Sequence, residues 1–224
     1  FMPPGGWVAK GALSLEATIR VASRHGIPVI VDAAAQVPPA ENLWRITCLG
    51  ADACIFSGGK DLRGPQASGL MVGKKDFFSW VEKTAFPTYG VGRMFKVGRE
   101  EIVGLLAAVE QYVSMDGEAR VQWAEGRIAA AMKAFAGSSM VSVERLYPNE
   151  AGQPFPQMAF RFAVPGCSDE VLRLLREGDP SIFTMAADGE SVFVNPMTLR
   201  DSELDSIGER MKEIEELFLT KGGK

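Results

Sequence analysis

The sequence predicts an α/β domain with a mainly parallel sheet, followed by a smaller α+β domain. Three observations predict it. Helical and strand-like stretches alternate over the first third of the chain. Two short apolar runs in that third end in polar residues and glycines, as buried parallel strands do at the edge where α/β sheets bind ligands. Beyond about residue 137 the order changes to strands, short turns and flanking helices. The chain therefore divides into part of a sheet domain at 1–90, a linking helical region at 91–136 and a whole small α+β domain at 137–224.

The elements follow in order. Ser14 caps a helix in which Leu15, Ile19 and Ala22 keep helical spacing, and Arg24, His25 and Gly26 supply cations and a glycine stop. His25, the one histidine, thus belongs to a helix end. Ile27-Pro28-Val29-Ile30-Val31-Asp32 is a β-branched run closing on a carboxylate, the pattern of a strand covered on both faces. A short helical stretch around Leu43 and Trp44 leads to a strand at Ala53-Cys54-Ile55-Phe56 and another at Gly69-Leu70-Met71-Val72-Gly73. In the middle, Ile102, Leu105, Leu106, Val109, Tyr112 and Val113 form one apolar helix face. Trp123, Ile128, Met132 and Phe135 continue it after a break near Asp116-Gly117. Strands at Met140-Val141-Ser142-Val143 and Gln157-Met158-Ala159-Phe160-Arg161-Phe162 precede a helix that Ser168 caps and that runs through Leu172 and Leu175. Residues 181–187 and 190–194 flank Asp188-Gly189, a strong hairpin signal. Leu204, Ile207, Met211, Ile214 and Phe218 then mark one buried face of the last helix.

The 224 residues are 46% apolar and 23% charged, values of an ordinary globular chain that exclude disordered, collagen-like and coiled-coil classes. A net charge of −4 offers no overall attraction to nucleic acid or an anionic membrane. No apolar run reaches the ~18 residues of a membrane-spanning helix. Phe1-Met2-Pro3-Pro4-Gly5-Gly6 lacks a signal-peptide pattern, and a first residue other than methionine leads us to expect a processed chain or one that begins inside a longer protein. Cys48, Cys54 and Cys167 are odd in number and lack zinc-like or paired spacing, as expected for reduced thiols in the cytoplasm and for a protein with no metal site. Gly90-Val91-Gly92 lacks the third glycine and the strand-to-helix context of a dinucleotide site.

Asp32 and Lys60 stand at the C-terminal ends of neighbouring predicted strands. Taken singly, the carboxylate fits a turn that it bonds and the lysine fits a solvated loop. Together they match the needs of a pyridine aldehyde cofactor, an amine for the Schiff base and an acid that keeps the ring nitrogen protonated, so that the ring draws electrons from a carbanion. Gly58 and Gly59 let the backbone approach a ligand, and Ser57 offers a hydroxyl and an N–H to a phosphate.

The segments 29–36 and 52–70, with the motif S-G-G-K-x-x-R-G-P-Q-x-S-G from Ser57 to Gly69, resemble the pyridoxal-phosphate enzymes of the aspartate-aminotransferase fold (fold type I). More narrowly they resemble the branch that holds selenocysteine synthase (L-seryl-tRNA(Sec) selenium transferase) and D-glucosaminate-6-phosphate ammonia-lyase. Residues 92–106 and 193–199 fit the same branch, so the likeness covers most of the chain. The resemblance implies that residues 1–90 are the C-terminal part of the large cofactor-binding domain. It implies pyridoxal 5'-phosphate as cofactor, Lys60 as the Schiff-base lysine, Asp32 as partner of the pyridine nitrogen, and Ser57 and Gly59 beside the phosphate. Gln36 is a candidate for the ring hydroxyl or the substrate, although its offset from Asp32 exceeds by one that of the cysteine desulfurases. Arg63, Arg93 and Lys96 are candidates for a substrate carboxylate or phosphate, because guanidinium matches both anions in bidentate geometry. A homodimer or higher homo-oligomer is implied as well.

The family's phosphate loop and ring-stacking side chain would precede Asp32 in a longer polypeptide, so the 224 residues alone are expected to hold the cofactor poorly. Three functions stay open at this stage. The first is a lyase that removes an α-proton from an amino acid or amino-sugar acid, expels a β-substituent and releases ammonia. The second is selenium transfer onto a seryl-tRNA, disfavoured by the acidic balance. The third is an inactive fragment or another transferase of the same fold.

Overall fold

In the computed structural model, residues 1–2 and 11–222 are described. They form two compact units, Phe1–Gly117 with Glu150–Gln153, and Glu118–Asn149 with Pro154–Lys224. Both are mixtures of helix and sheet.

In the first unit, helix α1 (Leu15–Arg24) starts at Ser14, whose side chain accepts the Ala17 N–H, and stops at His25 and a left-handed Gly26. Strand β1 spans only Ile30–Asp32, shorter than the expected run from Ile27. Pro28 has no N–H to give, and the Val29 N–H donates to the Asp52 carboxylate instead of to a strand. Helix α2 (Asn42–Cys48) returns the chain to β2 (Ala53–Ser57), which runs parallel to β1, and β3 (Gly69–Gly73) lies antiparallel on the other side of β2. The sheet order is β1-β2-β3. Val31, Cys54 and Phe56 on one face pack with Ile19, Leu43, Ile46, Leu62 and Tyr112. The opposite face is not covered by described residues as a strand buried on both sides would require, since Ile30 is 41% and Ile55 37% exposed.

Helix α3 (Lys75–Thr84) and a 3-10 turn (Arg93–Phe95) lead to α4 (Arg99–Ser114). The expected apolar face of α4 splits in two. Leu105, Ala108, Val109 and Tyr112 join the core, whereas Ile102, Leu106 and Val113 stand exposed. Three adjacent rows of a helix can all be apolar while only one row meets the sheet.

The second unit holds helix α5 (Gly117–Ala134), which begins at the expected break, and a sheet of β4 (Val141–Leu146), β5 (Gln157–Phe162) and β6 (Ser191–Val194) in the order β4-β5-β6, antiparallel throughout. Helix α6 (Ser168–Arg176) has Cys167 at its N-cap with no side-chain capping bond, which corrects the expected Ser168 cap. Ser168 is the first helical residue and is buried, so its hydroxyl is not in the half-in position from which a cap reaches back. Helix α7 (Asp201–Gly222) buries Leu204, Ile207, Met211, Ile214 and Phe218 against Val171, Leu175, Phe160 and Phe162, the stripe its spacing predicts. The Asp188-Gly189 turn forms, with Asp188 accepting from the Glu190 N–H and the Ser191 hydroxyl. Opposite β6, however, only an isolated bridge from Ala186 to Val192 pairs in place of a second strand.

Candidate active site

Ile30 stands opposite Ala53, Val31 opposite Cys54 and Asp32 opposite Ile55. Side chains alternate along each strand, so Ile30, Asp32, Ile55 and Ser57 share the exposed face. Asp32 and Ser57 therefore sit on one face at the C-terminal ends of adjacent parallel strands. Asp32 Oδ1 accepts the Ala34 N–H at 3.1 Å. Its own N–H donates to the Phe1 carbonyl at 2.8 Å, and the next N–H, of Ala33, donates to Ile55 at 2.8 Å. The carboxylate is thus fixed at the strand exit and open to solvent.

Ser57 leads straight into the loop that carries Lys60. The Gly58 N–H donates to the Ser68 carbonyl at 2.9 Å, the Gly64 N–H to Gly58 at 2.8 Å and the Arg63 N–H to Lys60 at 2.9 Å. Gln66 Nε2 donates to the Gly59 carbonyl at 2.9 Å. A Cβ on Gly58 would come 2.9 Å from Leu105 of α4, and one on Gly59 would come 2.7 Å from the Gln66 Cα, so neither position has room for a side chain. Asp61 and Leu62 are buried, whereas Lys60 and Arg63 on either side of them are exposed. Arg63 has φ of 58°, the one left-handed non-glycine backbone among the described residues. Such a conformation costs an L-residue with a bulky side chain about 1–2 kcal/mol.

The other candidates are placed less centrally. Gln36 is half-buried, its N–H donates to Ala33 at 3.0 Å and its carbonyl accepts Asn42 Nδ2 at 2.6 Å, which ties the exit of β1 to α2. Arg93 lies in the 3-10 turn with its guanidinium 4.9 Å from the Phe86 ring and 5.4 Å from the Tyr89 ring, and its buried Nε has no hydrogen-bond partner among the described residues. Lys96 follows that turn and is exposed. Among the described residues no hydrogen bond or ion pair joins Arg93 or Lys96 to Asp32, Ser57 or Lys60; Asp32 and Ser57 share one sheet face, and Lys60 lies three residues beyond Ser57 in the loop.

Burial, with the Asp32 carboxylate as a second cause, pushes the Cys54 thiol up to about 12. A thiol so held stays protonated and is not a nucleophile near neutral pH. Among the described residues, no three His, Cys, Asp or Glu side chains are grouped to hold a metal ion, and no helix is long and apolar enough to cross a membrane. The sequence assigns no role to Asp61 and places Tyr112 only on the apolar face of α4. The Tyr112 hydroxyl donates to Asp61 Oδ2 at 2.5 Å, and both residues are buried. An acidic residue next to the apolar Leu62, in an otherwise glycine-rich loop, was the available signal. Nothing in the sequence pairs it with a tyrosine 51 positions away.

Comparison with known proteins bears on what such a face is for. No protein-family model matches the chain. It is 31% identical over 215 residues to a D-glucosaminate-6-phosphate ammonia lyase of Salmonella typhimurium, covering 93% of this chain and 54% of that protein. It is 30% identical to a 5'-C-glycyluridine monooxygenase-decarboxylase of a Streptomyces species, over 96% of this chain and 52% of the relative. An L-seryl-tRNA(Sec) selenium transferase of Solidesulfovibrio magneticus shares 26%, over 86% and 46%. The solved structure of a D-glucosaminate-6-phosphate ammonia-lyase superimposes with a TM-score of 0.73 at 26% identity, over 96% of this chain and 56% of that one. The chain spans about half the length of the curated relatives it matches. Through these likenesses in sequence and fold, the chain is related to D-glucosaminate-6-phosphate ammonia-lyase and to selenocysteine synthase, and it shares the fold of the fold type I pyridoxal-phosphate-dependent lyases and transferases.

Proposed function

We propose that this chain carries the lysine side of a cytoplasmic pyridoxal-phosphate-dependent lyase. It acts on an amino acid or amino-sugar acid by α-proton abstraction and β-elimination with release of ammonia. The observation that carries the reading is the common exposed face of Asp32 and Ser57, with the Lys60 loop beginning at Ser57. The donor set fits the cofactor, since it offers one amine, one carboxylate and one hydroxyl at the strand ends. When bound, pyridoxal phosphate supplies an aldehyde that an amine can hold and a ring that draws electrons from the substrate's α-carbon. Lys60 Nζ would hold the aldehyde end until the substrate's amine displaces it, and the freed amine would then take the α-proton. The Asp32 carboxylate keeps a proton on the ring nitrogen, and the Ser57 hydroxyl and Gly59 lie beside the phosphate. Gln36 serves the ring hydroxyl or the substrate, and Arg63, with weaker roles for Arg93 and Lys96, binds the substrate's carboxylate or phosphate.

In this reading residues 1–90 are the C-terminal part of the cofactor-binding domain, 91–136 a linking region and 137–224 the small domain. The active form is a homodimer or higher homo-oligomer. The exposed Ile102, Val103, Leu106 and Val113 of α4 support a subunit contact, since soluble proteins seldom leave such a row open.

Assayed in the polypeptide as its gene encodes it, D-glucosaminate 6-phosphate is expected to yield ammonia and a 2-keto product. Lys60→Ala should lower the rate roughly 10²- to 10⁴-fold. The 26% identity to a selenium transferase favours a second reading, in which the substrate is a seryl-tRNA. Retarded migration of tRNA without ammonia release from the sugar acid would select that reading over the lyase.

A further inference from the structure

We infer that Asp61 and Tyr112 are a positioning pair that aims Lys60. The inference rests on the reading of Lys60 as the cofactor-holding amine. Asp61 follows Lys60 directly and is fully buried, and its Oδ2 accepts the hydroxyl of Tyr112, which is 2% exposed on α4. A polar group removed from water costs stability unless it is bonded, and an apolar residue would serve a purely structural turn better. The next residue, Leu62, is such an apolar anchor and is buried in the same core. Asp61 adds direction to that burial, because a hydrogen bond fixes the orientation of a side chain that packing alone leaves free to rotate.

The rest of the loop is pinned to the same helix. Gly58 and Gly64 lie against Leu105 and Ala108, and Gly104 lies against Pro65. The Gly64 to Gly58 and Arg63 to Lys60 bonds close the backbone around the turn. What remains to be set is the rotation of the segment at residues 60–61. With Asp61 tied inward to Tyr112, the neighbouring Lys60 is carried on the exposed side, in the loop that leaves Ser57. The pair acts through Lys60 and is not itself a catalytic group.

The test uses the polypeptide as its gene encodes it and two lysine reagents. Pyridoxal phosphate followed by borohydride marks an amine aimed into a cofactor site, and a neutral N-hydroxysuccinimide ester marks any exposed amine. Peptide mapping reads the label at each lysine. In the wild type, pyridoxal phosphate should favour Lys60 over Lys74, Lys75 and Lys96. In Tyr112→Phe, that label should fall roughly tenfold, the factor expected for losing a buried hydrogen bond, while the ester label at Lys60 stays unchanged. Asp61→Asn keeps an acceptor for the tyrosine and should retain most of the label.

The double variant Asp61→Leu with Tyr112→Phe replaces the buried polar pair by apolar groups; with its fold checked by circular dichroism, it should still lose the Lys60 preference. Its retained preference would overturn the positioning role, as would unchanged labelling in a folded Tyr112→Phe. A wild-type label spread over all exposed lysines would overturn the reading of Lys60 and the positioning role together.

Discussion

The two units use apolar residues in opposite ways. In the second, the periodic positions of α7 and the inward residues of β4, β5 and β6 close on one another, and Phe160, Val192, Met211 and Ile214 are almost fully withdrawn from water. In the first, one face of the sheet is equally closed through Val31, Cys54 and Phe56, while the other leaves Ile30 and Ile55 open beside Asp32 and Ser57. Ile30 and Ile55 thus stand on an open face beside an exposed carboxylate, whereas the apolar residues of a periodic helix stripe lie in a closed core. The difference lies in the neighbours, not in the residue type.

Four experiments sharpen or break that contrast. The largest effect is expected in the closed core. Phe160→Ala, which removes a ring stacked edge-on against Phe135, should cost about 3–5 kcal/mol in a denaturant titration. Ile55→Ala on the open face should cost about 1 kcal/mol or less. Equal costs would mean that the open face is as well packed as the core.

Thiol reactivity comes next. Cys48 is exposed, whereas Cys54 and Cys167 are buried with their thiols pushed up, chiefly by burial. In the native chain Cys48 should react with an aromatic disulfide reagent at least about a hundredfold faster than either of the others, and all three should react alike in denaturant. Rapid modification of native Cys54 would show that the covered face of the first sheet opens readily.

A smaller and opposite effect is expected at Arg63. Arg63→Gly relieves a left-handed backbone and should raise stability by roughly 0.5–1 kcal/mol while weakening capture of phosphate-bearing amino acids. A variant that gains stability and loses nothing in binding would remove Arg63 from the site.

The smallest effect concerns the turn at Asp188. The Ser191 hydroxyl, the Glu190 N–H and the Arg161 guanidinium hold its carboxyl down at about 2. A carboxyl depressed in the folded state stabilises fully above its unfolded value near 3.8, and the contribution fades as pH falls from there through about 2. Asp188→Asn should therefore flatten thermal stability across that acid window and leave the profile above about pH 5 parallel to that of the wild type.

Much of the fold was legible. The spacing of Leu204, Ile207, Met211, Ile214 and Phe218 has one structural meaning, and so does Asp188-Gly189, because local periodicity and turn chemistry act within a few residues. The places of Asp32 and Ser57 at the ends of adjacent strands were legible for a related reason, since polar groups that close apolar runs fall at a known edge of the sheet. Other features were not. Ile102, Leu106 and Val113 read as one apolar face with Leu105, Val109 and Tyr112, because periodicity tells which side of a helix is apolar but not how much of it meets a partner. Ser168 read as a cap because the choice between it and Cys167 depends on one backbone dihedral. The pairing of Asp61 with Tyr112 and the left-handed Arg63 arise from closure of the lysine loop on α4, a long-range event with no local signature.

The central claim is that Asp32 and Lys60 serve one cofactor on one face. The most direct measurement is the site of pyridoxal phosphate attachment after borohydride reduction, in the polypeptide as its gene encodes it, compared between the wild type and Asp32→Ala. The account predicts that Lys60 takes most of the label in the wild type and loses its preference when Asp32 is removed, with the fold intact by circular dichroism. Label distributed over the exposed lysines in both proteins, or concentrated at Lys60 irrespective of Asp32, would contradict it.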